Sequence, residues 1–380
     1  MIRILALLTA AALCLCIPFL PANAETLPEI SAASCILMDA QTCQTVYALN
    51  ADEKRPMAST TKIMTALLTL ESGDLDTPFT VDPTGIRVEG SSMGLREGDT
   101  VTKRALCIGM LLPSGNDAAN AAAVAVSGNV QFFLDRMNER AQAIGMSHTF
   151  FASPSGLDAP GHGASARDMA LLAREALQNP EFAAICSQPS MSAVFGNPPA
   201  PHTLKNTNKL LTSDSRVIGI KTGFTDAAGR CLVSAAEHEG RTLICVTLSD
   251  RNDWADHTAL YDYGFRLGEA STLPLPTDLE IAVEGGDTQR VGIYAKEPVP
   301  VTAWRGAMPE YTVQTLHPPF LYAPVSRDTV IGELIYTSGK AEIGRVPLYA
   351  AQDVGYSDES DHDSLFVQIL NKVRKILHTV

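Results

Sequence analysis

A serine and a lysine three positions apart, Ser59 and Lys62, are the first residues of this chain whose types and spacing could do chemistry. Three residues make about one helical turn, so both side chains share a face if the segment is helical. The segment has that pattern. Ile63, Ala66, Leu67 and Leu70 form one stripe, with Pro56 upstream and Gly73 beyond, so the spacing predicts a helix from near Ser59 to near Ser72. A serine hydroxyl is a poor nucleophile until a neighbouring base takes its proton. A lysine amine can be that base when burial or a second cation keeps it neutral. The helix start adds unpaired N–H groups and a partial positive charge for a developing anion. Taken alone, S-x-x-K arises often by chance and reads as a capping serine followed by a solvated lysine.

Two further motifs follow in order. Ser114-Gly115-Asn116 forms a tight loop behind Pro113, and Lys221-Thr222-Gly223 closes the apolar run from Arg216, which reads as a strand. Helix start, post-proline loop and strand end are three distinct contexts, and the ordered set S-x-x-K, S-x-N, K-T-G is specific where each member is not. A competing serine motif, Gly90-Ser91-Ser92-Met93-Gly94, matches the G-x-S-x-G nucleophile elbow. That elbow needs an apolar strand before it and a helix after it. Here Glu89 precedes and Leu95-Arg-Glu-Gly-Asp99 follows, so Ser92 reads as a chance match.

The likeness extends beyond the motif cores. Met57-Ala-Ser-Thr-Thr-Lys-Ile-Met-Thr-Ala, Glu89-Gly-Ser-Ser-Met-Gly, Leu111-Leu-Pro-Ser-Gly-Asn-Asp-Ala-Ala and Lys221-Thr-Gly-Phe-Thr-Asp-Ala-Ala-Gly229 closely resemble the low-molecular-mass penicillin-binding proteins. These are serine-type D-alanyl-D-alanine carboxypeptidases. The resemblance is strong over about residues 30–268 and looser beyond. It implies an α/β (α+β) transpeptidase-like domain followed by a small β-sandwich domain. It implies peptidoglycan stem peptides as substrate, β-lactams as covalent inhibitors, and neither cofactor nor metal. Ser59 would be acylated, Lys62 would be its base and Ser114 would relay protons to the leaving group. Asn116 would hold the substrate amide. Lys221 would help keep Lys62 neutral and favour an anionic substrate, and Thr222 would bind the terminal carboxylate. Gly223 would let the substrate backbone approach, and the Ser59 and Phe224 N–H groups would form the oxyanion hole. Phe224 stands where some relatives carry His, and Cys43 where many carry Gly. Arg251 is a weak candidate to complete the carboxylate site. Two alternatives are a β-lactamase, for which no Glu-x-x-Leu-Asn segment is present, and a catalytically weak wall-binding protein.

The elements that must position these residues follow the same order. Residues 34–49 read as two strands around a turn near Asp39 to Thr42. Helices are expected over Thr102–Leu112, Asp117–Val126, Val130–Ile144 and from Ser165 to near Asn179. Arg230–Ala236 and Arg241–Leu248 read as a hairpin, and Ala255–Leu267 as a closing helix. Strands beside helices on both sides suggest a layered domain over 25–268. Ser271–Pro276 reads as a linker, and 277–351 as a proline-rich β domain.

Both termini carry other signals. Arg3, the apolar run Ile4–Leu20 and Ala22-Asn-Ala24 mark residues 1–24 as a secretory signal. Residues 352–380 read as an acidic tether and an amphipathic helix in which Leu365, Phe366, Ile369, Leu370, Val373, Ile376 and Leu377 would lie near Lys372, Arg374 and Lys375. That helix suits an anionic membrane, placing the protein on the outer face of the cytoplasmic membrane. The net charge of -13 argues against nucleic acid as a partner. Cys231 and Cys245 flank the hairpin and read as small buried residues or as a disulfide.

Overall fold

The computed structural model describes residues 27–357. The expected signal segment and the terminal amphipathic helix lie outside the described residues. Strand β1 (Ser34–Asp39) is followed by β2 (Thr45–Leu49). A 3-10 turn, Ala58–Thr61, leads into helix α1 (Lys62–Glu71). Strand β3 (Phe79–Thr80), short helix α2 (Pro83–Ile86) and strand β4 (Thr100–Val101) come next. They precede α3 (Lys103–Leu111), α4 (Asn116–Ser127), α5 (Val130–Ile144), α6 (Ala166–Leu177) and α7 (Pro180–Cys186). A hairpin of β5 (Ser190–Gly196) and β6 (Pro199–Lys205) precedes the short α8 (Leu210–Ser213). Strands β7 (Val217–Thr225), β8 (Gly229–His238) and β9 (Arg241–Asp250) lead to α9 (Asp253–Leu267).

Strands β2, β1, β9, β8 and β7, in that order, form one antiparallel sheet. Helices α6 and α9 both pack on it. Every residue of β1 is therefore buried, where a one-sided sheet would alternate. Helix α1 is buried from Lys62 to Leu70 because α3, α4, α6 and α7 surround it. An apolar stripe gave too modest an expectation there: a helix enclosed all round has no solvent face. Capping chemistry sets the boundaries. Thr102, Asn129, Ser165 and Asn179 each accept a backbone N–H of the first turn with their side chains. The 190–205 hairpin, joined to β3 and β4, had no counterpart in the sequence reading.

The expected linker is corrected. Strand β10 (Gly268–Thr272) pairs along its length with β13 (Pro300–Trp304), so Ser271 and Thr272 belong to a sheet. Strands β11 (Leu279–Glu284), β12 (Arg290–Ala295), β14 (Thr312–Leu316), β15 (Phe320–Tyr322), β16 (Val330–Ser338) and β17 (Ala341–Ala350) make a six-stranded sheet ordered β14-β16-β17-β12-β11-β15. This C-terminal β-rich domain has its own core, including Ile281, Val291, Leu334, Tyr336 and Leu348. It is separate from the core around α1. Trp304 donates from Nε1 to Asp39 Oδ2 at 3.0 Å, and Gln41 Nε2 reaches the carbonyls of Pro300 and Ile343 at 2.9 Å each. The β1–β2 turn is thus tied to the C-terminal strands. Register also decides the cysteines. Ser234, not Cys231, lies opposite Cys245, and both thiols are buried and unbridged.

Candidate active site

Ser59 sits on the 3-10 turn, three residues before α1 begins at Lys62. The expected helix therefore starts three residues later, and the turn aims the hydroxyl back at the lysine. Lys62 is fully buried, and its Nζ has three oxygen neighbours. Ser59 Oγ lies at 2.8 Å, Asn116 Oδ1 at 2.7 Å and the Ser155 carbonyl at 2.6 Å. Amide oxygens only accept, so two N–H bonds go to Asn116 and Ser155. A neutral amine has two N–H groups and one lone pair. The lone pair then faces the Ser59 hydroxyl, the arrangement required of a base. Burial holds the Lys62 pKa well below the usual lysine value, the positive charge of Lys221 lowers it further, and Asp117 opposes both. Burial likewise pushes Lys221 down to about 7.

The second motif is set by the stop at Pro113. Ser114 adopts a positive φ of 69° and is almost buried. Asn116 opens α4 with its backbone N–H on the Ser91 carbonyl at 2.7 Å and its Nδ2 on the Glu89 carbonyl at 2.7 Å. The loop before it is gathered by the buried carboxylate of Asp117. Its oxygens accept from Ser92 Oγ at 2.6 Å and from the N–H groups of Met93, Gly94 and Leu95 at 2.9–3.1 Å. Ser92 is therefore a loop tie, and no helix follows it.

The third motif runs along β7, the last strand of its sheet. Lys221 is buried and donates to the Thr222 carbonyl at 2.9 Å. Thr222 Oγ1 lies 2.7 Å from Thr207 Oγ1. Gly223 packs on the turn that carries Ser59: a Cβ there would come within 3.0 Å of the Met57 carbonyl and 3.2 Å of the Ser59 nitrogen. Phe224 is exposed.

The structure thus brings Ser59, Lys62 and Asn116 into direct contact, Lys221 within electrostatic range, and Gly223 against residues 57–59. The described hydrogen bonds do not join the Ser114 hydroxyl to Ser59 or Lys62. Arg251 is exposed beyond the end of β9. Among the described residues no group of three or more His, Cys, Asp or Glu side chains is placed to hold a metal ion. Sequence reading missed Ser155, Asp117, Thr207 and His162. A signal for Ser155 was present in Gly156, whose φ is +89° and whose added Cβ would lie 2.0 Å from the Ala58 carbonyl. Only glycine allows that approach.

A serine hydroxyl held against a buried lysine, at the entry to a helix wrapped by a mixed α/β scaffold, is the arrangement of a serine-type hydrolase. Residues 21–252 match the family model described as D-alanyl-D-alanine carboxypeptidase, and residues 277–356 match that of the penicillin-binding protein 5 C-terminal domain. The chain belongs to the D-alanyl-D-alanine carboxypeptidase family. Among its relatives, D-alanyl-D-alanine carboxypeptidase DacC of Escherichia coli is 33% identical over 347 residues, covering 86% of this chain and 85% of DacC. DacB2 of Mycobacterium tuberculosis is 33% identical over 261 residues, 67% of this chain and 89% of its own. The crystal structure of penicillin-binding protein 5 from Haemophilus influenzae matches with a TM-score of 0.64 at 29% identity, covering 87% of this chain and 99% of that one.

Proposed function

We propose that this protein is a serine D-alanyl-D-alanine carboxypeptidase that removes the terminal D-alanine of peptidoglycan stem pentapeptides through an acyl-enzyme on Ser59. The observation that carries the reading is the set of contacts around Lys62, which leaves its lone pair to the Ser59 hydroxyl. Ser59 Oγ attacks the penultimate carbonyl carbon as its proton passes to Lys62 Nζ. The oxyanion takes the N–H groups of Ser59 and Phe224, each such donor contributing roughly 3 kcal/mol. Ser114 passes a proton to the departing amine as the C–N bond breaks, and D-alanine leaves. Water then hydrolyses the ester with Lys62 again as base. Lys221 and Thr222 hold the substrate carboxylate. Asn116 spends one Nδ2–H on Glu89, and its second is assigned to the substrate amide.

A β-lactam presents the same amide in a ring, so its leaving group stays tethered and the Ser59 ester persists. Incubation with a D-Ala-D-Ala peptide should release D-alanine, and penicillin should add its mass at Ser59. No release, with Ser59→Ala behaving as wild type, defeats the reading. Rapid penicillin turnover would point instead to a β-lactamase.

The same reading divides the chain into a signal at 1–24, a peptidase domain over 25–268, the β domain over 277–351 and a tether with an anchor helix over 352–380. The apolar and basic pattern of residues 365–377 supports peripheral binding to the outer face of the cytoplasmic membrane. Deleting residues 363–380 should release the protein from anionic vesicles. Undiminished binding counts against it.

A further inference from the structure

We infer that His162 is a positioning residue for Lys62: as the Nε2–H tautomer it pins the 151–163 loop to Thr61 and so keeps the Ser155 carbonyl on the catalytic amine. This inference rests on the proposed role of Lys62 as base.

The hydrogen bonds assign the tautomer. Ala152 N–H donates to His162 Nδ1 at 3.0 Å, so Nδ1 carries a lone pair and the ring proton of the neutral imidazole is on Nε2. Nε2 lies 3.0 Å from Thr61 Oγ1 and therefore donates to it. Thr61 is the residue before Lys62, fully buried on the nucleophile's own turn. One ring thus bridges the first part of the loop, its far end and the S-x-x-K segment.

The loop between those anchors makes two contacts with α1. The Pro154 carbonyl accepts from Thr65 Oγ1 at 2.6 Å, and the Ser155 carbonyl accepts from Lys62 Nζ at 2.6 Å. Gly156 then lies against Ala58 and Thr61. The stretch thereby shields Lys62 from water while supplying one of its acceptors. Burial is the main cause of the low Lys62 pKa, so loosening the loop admits water and raises it.

The neutral ring persists over the working range. Burial pushes His162 down to about 4, Lys54 assists, and Asp158 opposes. Phe151 covers the ring edge-on at 6.4 Å between centroids and carries no charge.

The test compares His162→Phe, which keeps the ring volume and loses both hydrogen bonds, with His162→Gln, whose amide can accept and donate in the same directions. Thr61→Val removes the same bond from its other end. The rate of acylation by a fluorescent penicillin is measured from pH 4.5 to 9, with melting temperatures to establish folding. The inference expects His162→Phe to acylate at least tenfold more slowly, with its acid limb moved to higher pH by half a unit or more. His162→Gln should stay within about threefold, and Thr61→Val/His162→Phe should be no slower than the slower single variant. A wild-type rate in His162→Phe overturns it. So do equal losses in both His162 variants with an unmoved acid limb, or additive losses in the double variant. If His162→Phe does not fold, Thr61→Val carries the same rate and acid-limb criteria. Failure of the wild-type protein to be acylated would instead remove the functional reading itself.

Discussion

Two buried lysines share one site, and at Lys62 burial and the charge of Lys221 outweigh the opposing carboxylate of Asp117. Lys62 gives way because it is enclosed and faces Lys221. Replacing it with alanine should lower acylation of Ser59 by ~10²–10⁴-fold, the usual contribution of a general base, with the fold retained. Stopped-flow penicillin binding reads that loss. Lys221, pushed down to about 7 by burial, loses its positive charge as pH rises through that value. An anionic substrate should therefore bind less well above pH 7. KM for a peptide with a free terminal carboxylate should rise there, while a carboxyl-amidated analogue should show no such rise. Steady-state kinetics across pH 6 to 9 on both peptides decide it.

At the scale of elements, two buried polar centres do the positioning. Asp117 at the start of α4 holds the loop through residue 95 by four hydrogen bonds from neighbouring residues. Bonds to a charged acceptor are worth about 1.5–3 kcal/mol each, and a broken one leaves a buried donor unpaired. Asp117→Asn turns part of that acceptor into a donor. It should destabilise the protein by about 1.5–3 kcal/mol in urea and move the acid limb of acylation to lower pH, since Asp117 favours the charged form of Lys62. Between β8, β9 and α9, His257 is buried with Nδ1 2.6 Å from Ser234 Oγ and Nε2 3.1 Å from Thr247 Oγ1. Burial depresses it to about 3, against an ordinary 6.5. An imidazole depressed in the fold binds its proton more readily in the unfolded chain. Its contribution is complete above pH 6.5 and falls as pH drops toward 3, by about 1.4 kcal/mol per unit. The difference in unfolding free energy between wild type and His257→Gln should narrow along that slope in denaturant titrations at successive pH values.

The whole molecule is two cores tied at a turn. Asp39 is buried, and its carboxylate accepts from Gln41 N–H, Thr42 N–H and Trp304 Nε1. Trp304→Phe keeps an aromatic ring and removes the last donor. The unpaired oxygen should cost about 1–3 kcal/mol, and D-alanine release by the folded enzyme should stay near wild type because the hydrogen bonds of Trp304 go to Asp39 and Ala307, not to Ser59, Lys62 or Asn116. Thermal unfolding and a peptidase assay on the same preparation check both halves.

Much of this was readable from the chain because it is local. Helix α1 follows from a stripe of four apolar residues, α5 was read over its observed span Val130–Ile144, and the 229–250 hairpin from the two apolar runs Arg230–Ala236 and Arg241–Leu248. The three motifs were visible because each occupies a few consecutive residues in one backbone context. Other features depend on residues far apart in the chain. The Ser155 carbonyl lies 93 positions from Lys62, and Asp39 bonds Trp304 across 265. The β5–β6 hairpin was missed because prolines at 198, 199 and 201 disguise it, and β10 because its pairing partner lies beyond the supposed linker. Residue types and their local order picked out the candidate nucleophile, its candidate base and the family. Tertiary packing alone decided which carbonyls face Lys62, and therefore which way its lone pair points, because a hydrogen bond is set by distance in space and leaves no periodic mark in the sequence.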